Sequence, residues 1–260
     1  MKNKSNKNLI IIVSIAVIAL IGLFIITRSH PPKIIKPARV SFKGKIAIVI
    51  DDWGYNLNNM PIVNGIRYPF TASILPNLKD SREVAAKLHA RGIEIMLHLP
   101  MEPKERYGLE NNTITTTMDE ASINKIIDQD LANIGYADGV NNHMGSCATE
   151  NSRTMAIVFK NLKSKHLFFL DSYVTPASIC QVTAKNINIP FVKRDIFLDN
   201  KADKAYIEQQ ILILKAQAKS KGWAIGIGHD RKTTLEVLKK EMPNLVKEGY
   251  KLVFISELVK

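Results

Sequence analysis

The segment Lys45–Asp52 reads KIAIVIDD, in which five apolar residues are followed by two aspartates. A short run that is apolar at successive positions is typical of a strand covered on both faces. Similar runs recur along the chain and alternate with stretches of helical spacing. The candidate strands are residues 45–52, 70–76, 93–100, 137–142, 166–172, 189–194, 223–229 and 250–255.

The stretches between these strands carry helical patterns, such as the apolar pair Ile123 and Ile127. Capping-box patterns predict that helices open at Thr117-x-x-Glu120 and Thr233-x-x-Glu236. Seven or eight β-then-α units within residues 45–260 predict an α/β fold with a parallel sheet. An α/β barrel and an open doubly wound sheet both satisfy this pattern, and both place their chemistry at the carboxyl ends of the strands.

Polar residues gather at that end of the predicted strands, although burying them costs free energy unless they have partners. They are Asp51, Asp52, His98, Glu102, Asn141, Asn142, His143, Ser146, Asp171, Ser172, Arg194, Asp195 and His229. Imidazole together with carboxylate is a ligand set that zinc and related divalent ions accept. The sequence therefore predicts a metal site at this end of the sheet.

Six separated blocks, in order, resemble the divergent polysaccharide deacetylase family, relatives of the metal-dependent carbohydrate esterases. They are IVIDDWG (48–54), GIEIMLHLPMEP (92–103), GVNNHMGS (139–146), LFFLDS (167–172), FVKRDIFLDN (191–200) and AIGIGH (224–229). The resemblance implies a distorted (β/α) barrel. It also implies hydrolysis of N- or O-acetyl groups on a glycan with a bound divalent metal, for which zinc is the expected ion.

The same resemblance suggests roles for individual residues. Asp51 corresponds to the general base, Asp52 and His98 to metal ligands, and His229 to the general acid. The family places a second histidine four residues after the first, but this chain has Glu102 there. Either Glu102 or His143 would then be the third ligand, and we favour His143 because a second imidazole preserves the ligand set.

The remaining polar residues at this end are candidates for binding substrate or orienting the catalytic groups. They are Glu102, Asn142, Ser146, Asp171, Arg194 and Asp195. Of these, Asp171, Arg194 and Asp195 are the candidates for orienting His229, and Arg194 and Asp195 could instead pair only with each other.

Two other functions compete with deacetylation. One is a non-catalytic glycan-binding or envelope scaffold protein, since a fold alone does not guarantee activity. The other is a metal-free glycosidase that uses paired carboxylates. Adjacent strand residues point to opposite faces, so Asp51 and Asp52 alone are expected to be poorly placed to straddle one glycosidic bond.

The N-terminal region predicts a membrane helix ahead of the domain. A basic tail, residues 1–8, precedes LIIIVSIAVIALIGLFIIT (9–27), which is uncharged and long enough to cross about 30 Å of hydrocarbon. Residues 28–44 form a basic linker with three prolines, and residues 45–260 form the domain. We expect an uncleaved anchor with a periplasmic or cell-surface domain, or a secreted domain if the leader is a cleaved signal.

Charge and cysteine content narrow the function classes further. The formal net charge is +12, but residues 1–44 hold eight basic and no acidic residues, which leaves 28 basic against 24 acidic residues in the domain. Nucleic acid is therefore not an expected partner. The sequence contains no glycine-rich phosphate loop, so no nucleotide cofactor is expected. Cys147 and Cys180 could pair in an oxidising compartment or remain buried thiols.

Overall fold

The computed structural model describes residues 3–28, 42–105 and 108–259, and the chain divides into two units, Met1–Ser41 and Phe42–Lys260. In the first unit, helix α1 (Asn3–Arg28) includes the predicted apolar segment. Its window Lys7–Ile26 has a mean hydropathy of 3.4, enough for a membrane span and equally for a signal sequence. Most of the predicted linker, residues 29–41, lies outside the described residues.

The second unit alternates strands and helices along the chain. Its strands are β1 (Gly44–Trp53), β2 (Thr71–Ile74), β3 (Glu94–Met101), β4 (Ala137–Met144), β5 (Phe168–Asp171), β6 (Phe191–Lys193), β7 (Ile196–Phe197), β8 (Trp223–His229) and β9 (Tyr250–Val253). Its helices are α2 (Met60–Val63), α3 (Ser81–His89), α4 (Glu120–Ile134), α5 (Ser152–Ser164), α6 (Cys180–Ile187), α7 (Lys204–Lys221) and α8 (Lys232–Lys247), with short 3-10 helices at Ala148–Glu150 and Ile255–Glu257.

The strands form one parallel sheet in the order β6-β5-β4-β3-β2-β1-β8-β7, and β9 also pairs with β1. This is the cyclic order of a barrel, left open where β6 and β7 form the two ends of the ladder. The predicted distorted (β/α) barrel is confirmed, and the open doubly wound alternative is wrong. Strand β7, only two residues long, was not among the predicted strands.

Alternation along the strands sorts side chains between two hydrophobic clusters. On β1, Ile46, Ile48 and Ile50 belong to the larger cluster, which includes the buried faces of the helices. Ala47 and Val49 belong to a smaller cluster in the barrel interior. Asp51 continues the inward series, and the same alternation on β3 directs His98 inward beyond Met96. The polar carboxyl ends therefore line the mouth of the barrel.

The opposite end of the barrel interior is filled by the C-terminal segment. Val253, Ile255 and Leu258 join the interior cluster. The backbone N–H of Ile255 donates to Oε1 of the buried Glu94 at 2.9 Å. Because this end is filled by side chains, the mouth at the carboxyl ends is where a substrate can approach the polar groups.

Both predicted capping boxes are wrong. Helix α4 begins at Glu120, and Asp119 caps it by accepting the N–H of Ser122 at 2.8 Å. A carboxylate next to the helix start serves the free N–H groups better than the more distant Thr117. Helix α8 begins at Lys232 after Arg231, without a side-chain cap.

Candidate active site

The mouth of the barrel contains a cavity of about 150 Å³ that gathers most of the predicted polar residues. Its lining residues are Asp51, Asp52, His98, Asn142, His143, Met144, Ser172, Val174, Phe197 and His229. Larger cavities of about 450 and 360 Å³ lie at the other end, near Ile93 and Phe254. The smaller cavity is the candidate active site because it combines three imidazoles with two carboxylates.

Asp51 and Asp52 both face this cavity, which strand alternation alone would not allow. Asp52 adopts a left-handed backbone conformation, with φ of 65°, and the pairing of β1 with β2 shifts register between Ile50 and Trp53. This irregularity turns the second carboxylate towards the same side as the first. The expectation that the two side chains point to opposite faces is therefore wrong. Left-handed conformations are costly for residues with a Cβ and occur more often at functional sites.

Asp52, His98 and His143 present one ligand atom each to a common point. Oδ1 of Asp52 lies 3.2 Å from both Nε2 of His98 and Nδ1 of His143, and these two nitrogens are 3.2 Å apart. Ligand atoms bound at 2.0 to 2.2 Å around a tetrahedral ion are about 3.3 to 3.6 Å apart. The buried Oδ1 of Asp52 has no hydrogen-bond partner among the described residues. This donor set fits a divalent cation.

The two neighbouring carboxylates differ in their affinity for protons. Burial raises the pKa of Asp51, an effect that His98 and His229 oppose. Burial also acts to raise the pKa of Asp52, but the imidazoles of His143 and His98, each 3.2 Å from Oδ1, outweigh it and hold the pKa well below its usual range. Asp52 therefore stays ionised, as a ligand requires, while Asp51 has the higher proton affinity that suits a base.

Asn141 lies beneath these groups and is fully buried. Its Oδ1 lies 2.8 Å from Nδ1 of His98, and its Nδ2 donates to Oδ1 of Asp51 at 2.9 Å. In the sequence Asn141 lies at the carboxyl end of its predicted strand, but it was not a predicted site residue. Its position two residues before His143, on the same inward face, was the signal that could have identified it.

His229 is held on the other side of the cavity by Asp199. Nδ1 of His229 lies 2.7 Å from Oδ1 of Asp199, and the His229 ring stacks on Phe197 at a centroid distance of 5.9 Å. Burial acts to lower the pKa of His229, but Asp199 outweighs it, so the pKa lies above the usual value. Asp199 was not among the predicted site residues, although it follows the short apolar strand Ile196–Phe197.

With this geometry established, comparison with known proteins identifies the family. Residues 48–259 match the family described as divergent polysaccharide deacetylase. The chain belongs to that family. The resemblance found in the sequence blocks is thereby confirmed.

Other proteins share the sequence or the fold of this chain. YibQ, an uncharacterised protein of Escherichia coli K12, is 37% identical over 202 residues, or 78% of this chain and 63% of that protein, so the match spans less than two thirds of it. An uncharacterised protein from Agrobacterium tumefaciens C58 superimposes with a TM-score of 0.81 at 21% identity, over 86% of this chain and 92% of its own. The catalytic domain of a peptidoglycan N-acetylglucosamine deacetylase from Eubacterium rectale does so with a TM-score of 0.54 at 13% identity, over 87% and 94%.

Within this deacetylase-family domain, Glu102 and Ser146 are occupied in loop contacts. Oε2 of Glu102 accepts hydrogen bonds from the N–H and hydroxyl of Thr116 at 2.6 and 2.8 Å. Ser146 accepts the N–H of Lys104 at 2.8 Å. Neither residue lines the cavity, whereas Asn142 lines it and fixes the backbone of Ser172. Glu102 is thus held away from the ligand cluster that includes His143.

The three residues expected to orient His229 have other partners. Asp171 accepts from Ser178 Oγ at 2.7 Å, and Arg194 donates to the carbonyl of Ser172 at 2.6 Å. Asp195 pairs with Lys221, which lies at the end of α7 and therefore near the start of β8. The expectation that Asp195 orients His229 is wrong, because its side chain faces the opposite end of that strand.

Arg194 still contributes to the wall of the site indirectly. Its guanidinium lies 3.6 Å from the centroid of the Phe197 ring, whose other neighbour is the imidazole of His229. It therefore supports the aromatic residue on which His229 stacks.

Cys147 and Cys180 are both free thiols.

Proposed function

We propose that this domain is a metal-dependent hydrolase that removes acetyl groups from an amino-sugar polysaccharide of the cell envelope. The observation that carries the proposal is the cluster of Asp52, His98 and His143 facing a separate carboxylate, Asp51, and a separate imidazole, His229. The family assignment and the deacetylase fold support it.

Asp52, His98 and His143 would hold the divalent ion, with zinc the expected one. When bound, the ion supplies Lewis acidity that polarises an acetyl carbonyl and lowers the pKa of water. The ionised Asp52 and the two imidazoles match the ligand preference of zinc.

The other two ionisable groups carry the proton transfers of hydrolysis. Asp51 takes the proton from the attacking water as the new carbon–oxygen bond forms. Asp199 raises the pKa of His229. His229 then gives a proton to the departing amine or alkoxide as the bond between the acetyl carbon and that nitrogen or oxygen breaks. Acetate and the deacetylated sugar are the products. A cavity of about 150 Å³ has room for an acetyl group and little more, so the sugar would lie at its rim.

Acetate release from acetylated amino-sugar oligomers tests this proposal. Asp51→Asn and His229→Ala should each lose about 10² to 10⁴-fold in kcat while retaining zinc and fold. His89→Ala is the matched control, because His89 stacks on Tyr136 outside the candidate site. If zinc-loaded wild-type protein releases no acetate from chitin-like, peptidoglycan-like and O-acetylated substrates, the glycan-binding alternative replaces the enzyme.

We further propose that helix α1 is an uncleaved anchor that holds the domain outside the cytoplasm. Its support is a 20-residue apolar window preceded by a basic tail. External protease should digest the domain in intact spheroplasts, and the chain should remain with the membrane fraction. Protection of the domain until lysis would overturn the outward orientation, and release of a shortened domain into the medium would indicate a cleaved signal.

A further inference from the structure

We propose that Asn141 is a positioning residue that couples the general base Asp51 to the metal ligand His98. The inference rests on the proposed metal-dependent function. Asn141 is the side chain that hydrogen-bonds both of these groups, and it pairs directly with His98 in the register of β3 and β4.

The orientation of the Asn141 amide follows from Ser172. The Ser172 hydroxyl donates its single proton to the carbonyl of Asn142 at 2.9 Å. It must therefore accept from Asn141, whose Nδ2 lies 3.3 Å away. The amide nitrogen thus faces Ser172 and Asp51, and the amide oxygen faces the opposite way.

This orientation determines which nitrogen of His98 is free to bind a metal. The Asn141 oxygen can only accept, so Nδ1 of His98, 2.8 Å away, carries a proton and donates. Ser73 donates to the same oxygen and helps to hold it in place. In the neutral ring the lone pair then lies on Nε2, the atom that faces Asp52 and His143.

The other half of the amide acts on the base. Nδ2 donates to Oδ1 of Asp51, which leaves Oδ2, the oxygen 3.7 Å from Nε2 of His98, directed towards the ligand cluster. Asn141 and Asp51 have essentially no exposed surface, so solvent cannot replace a lost amide bond without rearrangement. One side chain therefore sets the position of both the base and the ligand.

Two substitutions separate these roles. Asn141→Ala removes both contacts, and its zinc affinity, measured by chelator competition, should fall about 10 to 100-fold. Asn141→Asp keeps the size and the acceptor towards His98 but sets a second carboxyl group against Oδ1 of Asp51, so that the two groups share a proton and Asp51 becomes a poorer base. Its zinc affinity should stay at or above the wild-type value while acetate release falls at least 10-fold.

Asn142→Ala is the matched control, because Asn142 is similarly buried and its side chain, among the residues that the structure describes, hydrogen-bonds only backbone atoms of Ser172 and Met144. It should lower the melting temperature about as much as Asn141→Ala and leave zinc affinity within about threefold of wild type. Co²⁺ substitution gives a second measurement, since the visible spectrum of the bound ion should change in Asn141→Ala and not in Asn142→Ala.

The outcomes distinguish a failure of the role proposed for Asn141 from a failure of the proposed metal-dependent function. Wild-type zinc affinity and Co²⁺ spectrum in Asn141→Ala would show that Asn141 only packs the core. Full turnover by Asn141→Asp would overturn the link to Asp51, even if the alanine variant fails to fold. If wild-type protein binds neither Zn²⁺ nor Co²⁺, the proposed function fails and the inference fails with it.

Discussion

His229 and Asp199 form a dyad in which Nδ1 of the imidazole lies 2.7 Å from a carboxylate that has no exposed surface. The second oxygen of Asp199 accepts the N–H of His229 at 2.9 Å and the hydroxyl of Thr234 at 2.6 Å. Asp199 is therefore fixed by partners on two elements, β8 and α8. This dyad orients His229, the proposed proton donor, and raises its pKa.

Replacing Asp199 by Asn should lower the pKa of His229, because the negative charge that stabilises the imidazolium is removed. A general acid works only while protonated, so the alkaline limb of the kcat/KM profile should move to lower pH. The rate at neutral pH should also fall. The fall should not exceed the roughly 10² to 10⁴-fold expected when a general acid is lost completely. A pH–rate profile of Asp199→Asn measures both effects.

Asp203→Asn provides the control for that experiment. Asp203 follows in the same loop but caps α7 by accepting the N–H of Tyr206, and its change should leave the pH profile in place. An unmoved alkaline limb in Asp199→Asn would show that His229 is not the proton donor.

Hydrophobic patterning was enough to predict a parallel α/β sheet with polar carboxyl ends, whereas the choice of a barrel came from the family resemblance. Eight of the nine strands were predicted, because each contains a recognisable run of apolar residues. Strand β7 was missed because two residues, Ile196 and Phe197, carry no periodicity. That omission also hid Asp199, since its place at a strand end was not visible.

The details of the site depended on backbone conformation, which spacing does not reveal. The left-handed turn at Asp52 contradicts simple alternation, and only the structure shows that it brings two adjacent carboxylates together. Whether Glu102 or His143 joins the cluster was likewise open in the sequence. Glu102 accepts two hydrogen bonds from Thr116, a residue 14 positions away, so local spacing did not reveal this contact.

The identity of the third ligand is tested by comparing His143→Ala with Glu102→Ala. His143→Ala should lose zinc, because two protein ligands remain where three are needed. Glu102→Ala should keep full zinc occupancy but unfold more easily by about 1 to 3 kcal/mol, since it leaves the Thr116 groups unpaired. Metal analysis and denaturant titration of the purified variants give the two values, and zinc-replete His143→Ala would reverse the assignment.

The left-handed backbone of Asp52 predicts a difference between two variants that both lack the ligand. A residue with a Cβ pays roughly 1 to 2 kcal/mol in this conformation, whereas glycine does not. After allowing for the greater freedom of glycine in the unfolded chain, Asp52→Gly should be about 1 kcal/mol more stable than Asp52→Ala. Urea unfolding without metal measures this, and equal stability would mean that the backbone relaxes in the variants.

Asp130 offers a test of stability at a residue that does not line the candidate site. It is buried on α4, where its Oδ1 accepts from the side chains of Asn77 at 2.7 Å and Asn112 at 3.3 Å. Its Oδ2 has no hydrogen-bond partner among the described residues. Burial raises the pKa of Asp130 to about 6, a change that the two amides only partly oppose.

The raised pKa means that the folded state binds a proton more tightly than the unfolded state does. Between about pH 4 and pH 6 the folded carboxyl is protonated and the unfolded one is not, so this group's contribution to the free energy of unfolding falls as pH rises. Asp130→Asn removes that dependence. Its stability relative to wild type should therefore rise by up to roughly 3 kcal/mol from pH 4 to pH 7.

Urea titrations at both pH values measure this difference. Asp128→Asn is the control and should show little change, because Asp128 is an exposed neighbour that pairs with Lys165. A constant difference between Asp130→Asn and wild type would mean that folding does not shift the pKa of Asp130.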